Sequence, residues 1–499
     1  MTITKQLLLA STAGLVVTAA AQAADLPVKA RPVEYVKICS LYGAGFWYVP
    51  GTDTCLKIGS YVRAQTMYGA GNGGVALGFG DGASGGHNTR TASSDFAFRS
   101  RGVLSVDLRT QTEYGTLRSY MNVGAEWTTA TNNAANNTGA SADKLFVNRG
   151  FIQFAGFTAG RIRSYFDINS LSPYSYARQL NGDTGSKGIY ALAYTAQFAD
   201  GFSATLSFED GGLSNGGRGR MTSNAAMPEW TIGGTSGVQD IAFDNKGTVM
   251  PDVVGALRAD GSWGYAQIAA ALHDASGGYY GATNSTVNGH PSDKFGFAVT
   301  GGFTLNNVFG NKRDAVGLQA TYSEGAAGYA ARRTDSQAVY QTSSNAGFGW
   351  LSEALYATNT PIELTTVWSV NGFVQHFWNP KWRTSLWASY TEVDYNGAER
   401  AMVCAGAGGG LTPGFITGLS AVSNCDPSYS WILVGTRTQW NPHPDLDIGL
   451  EVMWTHLNTA FKGTANLAAS GAQPAIVGAH IDDQDAASVL FRIQRNFLP

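Results

Sequence analysis

Charge is scarce in this chain. Asp, Glu, Lys and Arg make up 14% of its 499 residues, against about 25% in ordinary soluble proteins. Nor is there a basic excess: the net charge is −3, which leaves no electrostatic footprint for nucleic acid. Beyond the N-terminus no apolar run approaches the roughly 20 residues that a membrane-spanning helix needs. Histidine is sparse too, and His87, His273, His290, His376, His443, His456 and His480 are scattered without compact metal-ligand spacing. HExxH, a Walker A loop and a nucleophile elbow are all missing, so catalysis has no motif to rest on. The expectation is a protein that is not an enzyme and carries neither cofactor nor metal.

What is abundant is glycine, with 63 residues, and aromatics, at 12%. They punctuate runs of alternating apolar and polar residues, clearest in Leu104-Ser105-Val106-Asp107-Leu108-Arg109 and Phe202-Ser203-Ala204-Thr205-Leu206-Ser207-Phe208. Period-two alternation describes a strand with one apolar and one wet face. About sixteen such runs lie between residues 56 and 497. Short turn sequences join them in pairs, such as Gln111-Thr112, Ala199-Asp200-Gly201, Ala259-Asp260-Gly261, Asn379-Pro380 and Asn441-Pro442-His443-Pro444. The intervening links are long: 67–94, 128–144, 165–186, 210–250, 274–292, 325–363, 395–429 and 458–484. This rhythm predicts an all-β fold, a transmembrane antiparallel β-barrel with short periplasmic turns and long extracellular loops in a bacterial outer membrane.

The N-terminus reads as a targeting segment. Lys5 precedes an apolar stretch from Leu7 to Ala20, and Ala21-Gln22-Ala23 is a small-x-small cleavage site. The chain therefore divides into a signal peptide over 1–23, cut between Ala23 and Ala24, a periplasmic segment over 24–55 and a barrel over 56–499. Four cysteines in an exported chain predict disulfides. Three pairings exist, and nearest-neighbour pairing of Cys39 with Cys55 and of Cys404 with Cys425 is expected; four free thiols are the other outcome.

The two faces of the runs separate well. Phe96, Phe98, Leu104, Val106 and Leu108 share one face, while Arg99, Arg101, Asp107 and Arg109 share the other. Leu117, Met121, Val123 and Trp127 oppose Arg118, Asn122 and Glu126 in the same way. A soluble β-sandwich would also alternate, with its charges outside. Clustered strand-end aromatics (Trp127, Trp368, Trp378, Trp382, Trp440, Trp454) instead suit the interfacial girdles of a barrel in lipid. In the final run, Ala487, Val489, Phe491, Ile493 and Phe497 alternate with Ser488, Leu490, Arg492, Gln494 and Asn496.

The stretch Cys39-Ser40-Leu41-Tyr42-Gly43-Ala44-Gly45-Phe46-Trp47-Tyr48-Val49-Pro50-Gly51-Thr52-Asp53-Thr54-Cys55-Leu56-Lys57-Ile58-Gly59 resembles the alphaproteobacterial porin family. Ala24-Asp25-Leu26-Pro27, Tyr61-Val62-Arg63 and the ending Arg495-Asn496-Phe497 fit it as well. The resemblance implies a homotrimeric, sixteen-stranded general-diffusion porin, inserted by the barrel assembly machinery and passing small hydrophilic solutes. A substrate-selective channel and a non-conducting surface barrel are the other readings. Leu498-Pro499 depart from the pattern by following the terminal aromatic.

On the wet face, Arg63, Arg99, Arg101, Arg118, Arg161 and Arg163 form an expected basic wall. Buried charges are costly, so such a wall implies adjacent water. The family's third long loop folds into the barrel, which implies that Asp167 and Asp183 face this wall and put a transverse field across a constriction. The other reading of the arginines is stitching of the wall through Asp107 and Glu126.

Overall fold

The computed structural model describes residues 39–68, 96–128, 142–176, 183–185, 188–211, 221–223, 244–280, 286–331, 338–341, 345–349, 351–404, 419–467 and 476–497. The expected cleavage residues Ala23 and Ala24, and the terminal Leu498-Pro499, lie outside the described residues.

Sixteen strands form the barrel: β1 Thr54–Tyr68, β2 Phe96–Thr112, β3 Gly115–Thr128, β4 Ala142–Phe154, β5 Phe157–Ile162, β6 Ile189–Ala199, β7 Phe202–Glu209 and β8 Asp252–Gly261 in its first half. The second half is β9 Gly264–Asp274, β10 Phe295–Asn306, β11 Ala315–Glu324, β12 Thr366–Asn379, β13 Trp382–Asp394, β14 Tyr429–His443, β15 Leu446–Asn458 and β16 Gln484–Phe497. Each pairs antiparallel with the next, and β16 closes on β1 with Ser60 opposite Phe497 and Tyr68 opposite Val489. Closure leaves no open edge, which a membrane requires because no lipid can satisfy a bare backbone group. Below Phe497 a two-residue strand, Trp47–Tyr48, continues the seam against Leu56 and Cys55. The Cys39–Cys55 disulfide ties the segment before it to β1, and Cys404–Cys425 forms as well, so nearest-neighbour pairing holds.

Local chemistry explains the tight ends. Between β4 and β5, Ala155 and Gly156 both take positive φ (50° and 83°), the left-handed pair that matches strand twist in a two-residue hairpin. Exposed aromatics ring the barrel at two levels. Trp378, Trp382 and Trp440 sit at the short-turn end, where the last two stack at 5.8 Å; Trp127 and Trp454 sit at the long-loop end. The outward series between them is apolar and exposed, as in Phe98, Leu104, Met121, Leu257, Ile268, Leu318, Leu386, Leu450 and Ile493.

The inward face is not wet throughout. On β12–β16 it carries Phe373, Trp387, Leu433, Met453 and Leu490, all buried in one cluster with loop residues such as Leu171, Phe348, Leu355, Tyr395 and Phe461. The long links supply this cover. Among the described residues they contain a five-stranded sheet (338–341, 345–349, 476–481, 462–467, 419–424), a three-stranded one (363–364, 354–356, 221–223) and two short α-helices, α1 Ala327–Ala330 and α2 Gly397–Cys404. The long links read as irregular loop in the sequence; several of their strands form local hairpins, but the sheets are completed by pairings such as Asn345 with His480 and Ala354 with Met221, which no local pattern reveals.

Candidate functional site

The inner faces of β1, β2 and β3 bring basic residues directly opposite one another. Arg63 pairs in register with Arg101, and Arg109 with Arg118. Like charges so placed repel, so the wall needs acids between them. Asp107 accepts two-pronged bonds from both neighbours: Arg118 Nε at 3.0 Å and Nη2 at 2.9 Å, Arg109 Nε at 3.1 Å and Nη2 at 2.9 Å. Glu126 accepts from Arg101 Nε at 2.7 Å and lies 3.6 Å from Arg99. Arg63 donates to Gln494 across the seam at 2.7 Å. The wall is therefore stitched through Asp107 and Glu126. Two arginines per carboxylate still leave each triad with one positive charge in excess. Arg118 and Arg109 keep 28% and 26% side-chain exposure, so that charge meets solvent.

Two expected members stand elsewhere. Arg161 lies opposite Tyr190 in the β5–β6 register, and Tyr190 belongs to the exposed outward series with Leu192 and Tyr194. Its alternation with Phe157 and Ala159 places it on the outer face, off the wall. Arg163 follows the end of β5 and begins the third long link, residues 163–188, here called L3. Its Nε lies 3.4 Å from Asp167 and 3.5 Å from Asp183. Burial pulls Arg163 down, but these two carboxylates outweigh it and hold the guanidinium above its ordinary value. Asp167 also accepts from the Thr184 backbone at 2.8 Å, and Asp183 from Gly185 at 2.8 Å. Through these bonds the two acids fasten the ends of L3 together, and both carboxylates also act on the charge of Arg149 of β4.

From that base L3 crosses the lumen along the far wall. Phe166 is fully buried against Val254, Ala256, Ala269, Ala271 and Tyr329. Asn169 donates to the Phe303 and Leu318 carbonyls, both at 3.2 Å, and accepts from Thr304 at 2.8 Å. Tyr174 stacks on Phe373 with centroids 3.8 Å apart, and burial pushes its phenol up to about 12, so it packs as a neutral ring. At the far tip Glu451 accepts from Ser175 Oγ at 2.7 Å and from the Tyr176 backbone at 2.5 Å. Arg492 lies 3.9 Å from the Tyr176 ring centre and donates to its carbonyl at 2.7 Å, while Arg437 donates to Pro173 O.

The second basic set, Arg383, Arg437 and Arg492, is missing from the sequence-based wall. The signal existed, since Arg383 and Arg492 fall on the polar series of their strands. It takes barrel closure, which sets Arg492 opposite Gln65, to bring them to the first set. L3 covers this half of the lumen and leaves its other half to the stitched arginines. Among the described residues no group of three or more His, Cys, Asp or Glu is arranged to hold a metal ion.

A family model described as "Porin subfamily" matches residues 25–489. Porin Omp2b of Brucella suis is 33% identical over 265 residues, covering 52% of this chain and 64% of that protein. Porin Omp2b of Brucella abortus (strain 2308) is 33% identical over 272 residues, covering 52% and 63%. These matches span just under two thirds of the relatives' length. Among solved structures, the outer membrane channel DcaP of Acinetobacter baumannii superposes over 90% of this chain and 99% of its own, with a TM-score of 0.54 and 13% identity.

Proposed function

The chain belongs to the porin subfamily, and on that premise we propose that it forms a water-filled outer-membrane channel for passive diffusion of small hydrophilic solutes and ions, favouring anions. One observation carries the reading: L3 is clamped to the β8–β16 wall, while Arg63, Arg99, Arg101, Arg109 and Arg118 line the side it leaves, with Asp107 and Glu126 each shared between two of them. A wall of one sign beside low-dielectric protein concentrates counter-ions and sets a barrier to co-ions. The outward aromatics and apolar residues meet outer-membrane lipid, the last strand ending at Phe497 serves the barrel assembly machinery, and three copies assemble.

Purified protein in planar bilayers tests this. Large ATP-independent conductance is expected, with a reversal potential across a salt gradient of the sign for anion preference. A tight seal at every voltage points to a non-conducting surface barrel and defeats the proposal. Saturable block by a single solute class points to a substrate-selective channel instead.

A further inference from the structure

At the long-loop end of β9, His273 is buried among ionisable groups that the conduction path does not use. Its Nδ1 lies 2.7 Å from Asp252 Oδ1 on β8, and its Nε2 lies 3.1 Å from Glu353 Oε2, which a long link brings in from above. Ionised carboxylates only accept, and two of them this close to the two ring nitrogens favour the imidazole that carries a proton on both. Each acid is engaged by its second oxygen as well. Asp252 Oδ2 accepts from the Tyr329 hydroxyl of α1 at 2.6 Å, and Glu353 Oε1 accepts from Asn245 Nδ2 at 2.7 Å. His273, Asp252, Glu353 and Tyr329 are all less than 5% exposed.

The chain of contacts continues into the constriction. The Tyr329 ring meets Phe166 of L3 edge to face at 4.7 Å. Beside it, Glu209 lies opposite Asp252 in the β7–β8 register and holds the start of L3, accepting from Ser164 Oγ at 2.6 Å and the Tyr165 backbone at 2.9 Å. On the β10 side His273 faces Gly296, which carries no charge. Among the described residues, the charged and titratable groups around the imidazole are thus Asp252, Glu353 and the Tyr329 phenol, with Glu209 one step behind.

We propose that the Asp252–His273–Glu353 cluster positions L3 through Tyr329 and Phe166, so that the width of the pore follows the protonation of His273. The charged imidazole bridges a carboxylate of the barrel and one of the covering links. Without its extra proton only one N–H remains for two desolvated carboxylates, and one of the two contacts must open. Either opening frees one end of the line that runs from the cover to Phe166. His273, Asp252 and Tyr329 are positioning residues, since none of them faces the stitched arginine wall.

The inference uses the channel reading only for its readout. Single-channel current of the full-length protein is recorded as the pH on the long-loop side is raised. The wild type should pass from steady current at low pH to flickering or altered current at high pH. His273→Gln should show the high-pH behaviour throughout, and Glu353→Gln should move the transition down by roughly one to three pH units, because the imidazolium loses one opposite charge. An identical pH profile in wild type and His273→Gln overturns the positioning role. Should His273→Gln fail to fold, an unshifted transition in Glu353→Gln overturns it equally. Absence of any current in the wild type is a different result, and it defeats the channel reading.

Discussion

Asp107 and Glu126 each hold two arginines, and at the scale of single residues the proposed anion preference rests on this ratio. Replacing Arg99 and Arg101 together by Ser removes two arginine partners of Glu126 and leaves its negative charge on the wall. A unit charge about 4 Å away in water changes an ion's energy by about 1 kcal/mol. The ratio of anion to cation permeability should therefore fall roughly five- to tenfold, read as a reversal potential moving toward cations; an unchanged potential would mean that ions do not pass this wall. Glu399 sets a different residue-scale expectation, outside the membrane. In α2 it is fully buried and receives the Asn396 backbone N–H at 2.7 Å, while Asn396 Oδ1 caps the Ala398 and Glu399 backbone, a reciprocal capping box. Burial pushes its carboxyl from 4.5 up to about 7 despite those bonds. The folded helix then keeps a proton that the opened one has shed. Its stability is full below pH 4.5, declines as pH rises to about 7 and is level above, by at most about 3 kcal/mol. Hydrogen exchange over 397–404, corrected for the intrinsic rate, should show that decline in the wild type and lose it in Glu399→Gln.

The elements of the far wall work as a bed for L3, and glycines make the bed flat. Trp387 on β13 lies opposite Gly435 on β14, and a Cβ at Gly435 would sit 2.2 Å from the Trp387 ring. Phe373 covers Gly317 in the same manner, and Tyr174 then stacks on Phe373. Large rings laid over glycine across a strand pair give a smooth apolar surface at the level where the loop must dock. Gly435→Ala should tilt the buried Trp387 into the loop, costing about 1–3 kcal/mol and changing the conductance. Gly102→Ala, with nothing within 4 Å of its added methyl, is the control and should alter neither. Heat-induced mobility shifts and single-channel steps measure the two effects; equal behaviour of the two variants would show that L3 does not lean on this bed. The sequence could not reveal such pairs, because glycine reads as turn or loop until the partner strand is known. Strand number, facing and the Arg99–Arg101–Arg118 wall were legible because alternation is local. The basic set at Arg437 and Arg492 and the inward turn of Arg163 toward its own loop were not, since each depends on which distant backbone lies opposite.

At the scale of the whole molecule the barrel is lopsided inside. One half of the lumen, along β8–β16, is filled by L3 and by the long links, whose apolar side chains join Phe373, Trp387, Leu433 and Met453 in a continuous core. The other half keeps arginines with a quarter or more of their side chains in solvent, as for Arg109 and Arg118. A sheet of sixteen strands closed only on itself would have to fill or hydrate its whole interior. Filling half of it with folded links stiffens the shell, and the proposed route for water and ions runs beside the arginines of the other half. The path is then complete within each copy, and no strand of the barrel is left for a neighbour to supply. If three such copies associate through their outer faces, as proposed, each should conduct independently. Bilayer recordings of the assembled protein should show three equal steps opening and closing separately, with the summed current proportional to the number open. The unheated protein should migrate as a trimer and the heated one as an unfolded monomer. A single indivisible step from the trimer would mean one shared pathway, and that would place the route for ions between the barrels instead of along Arg99, Arg101 and Arg118.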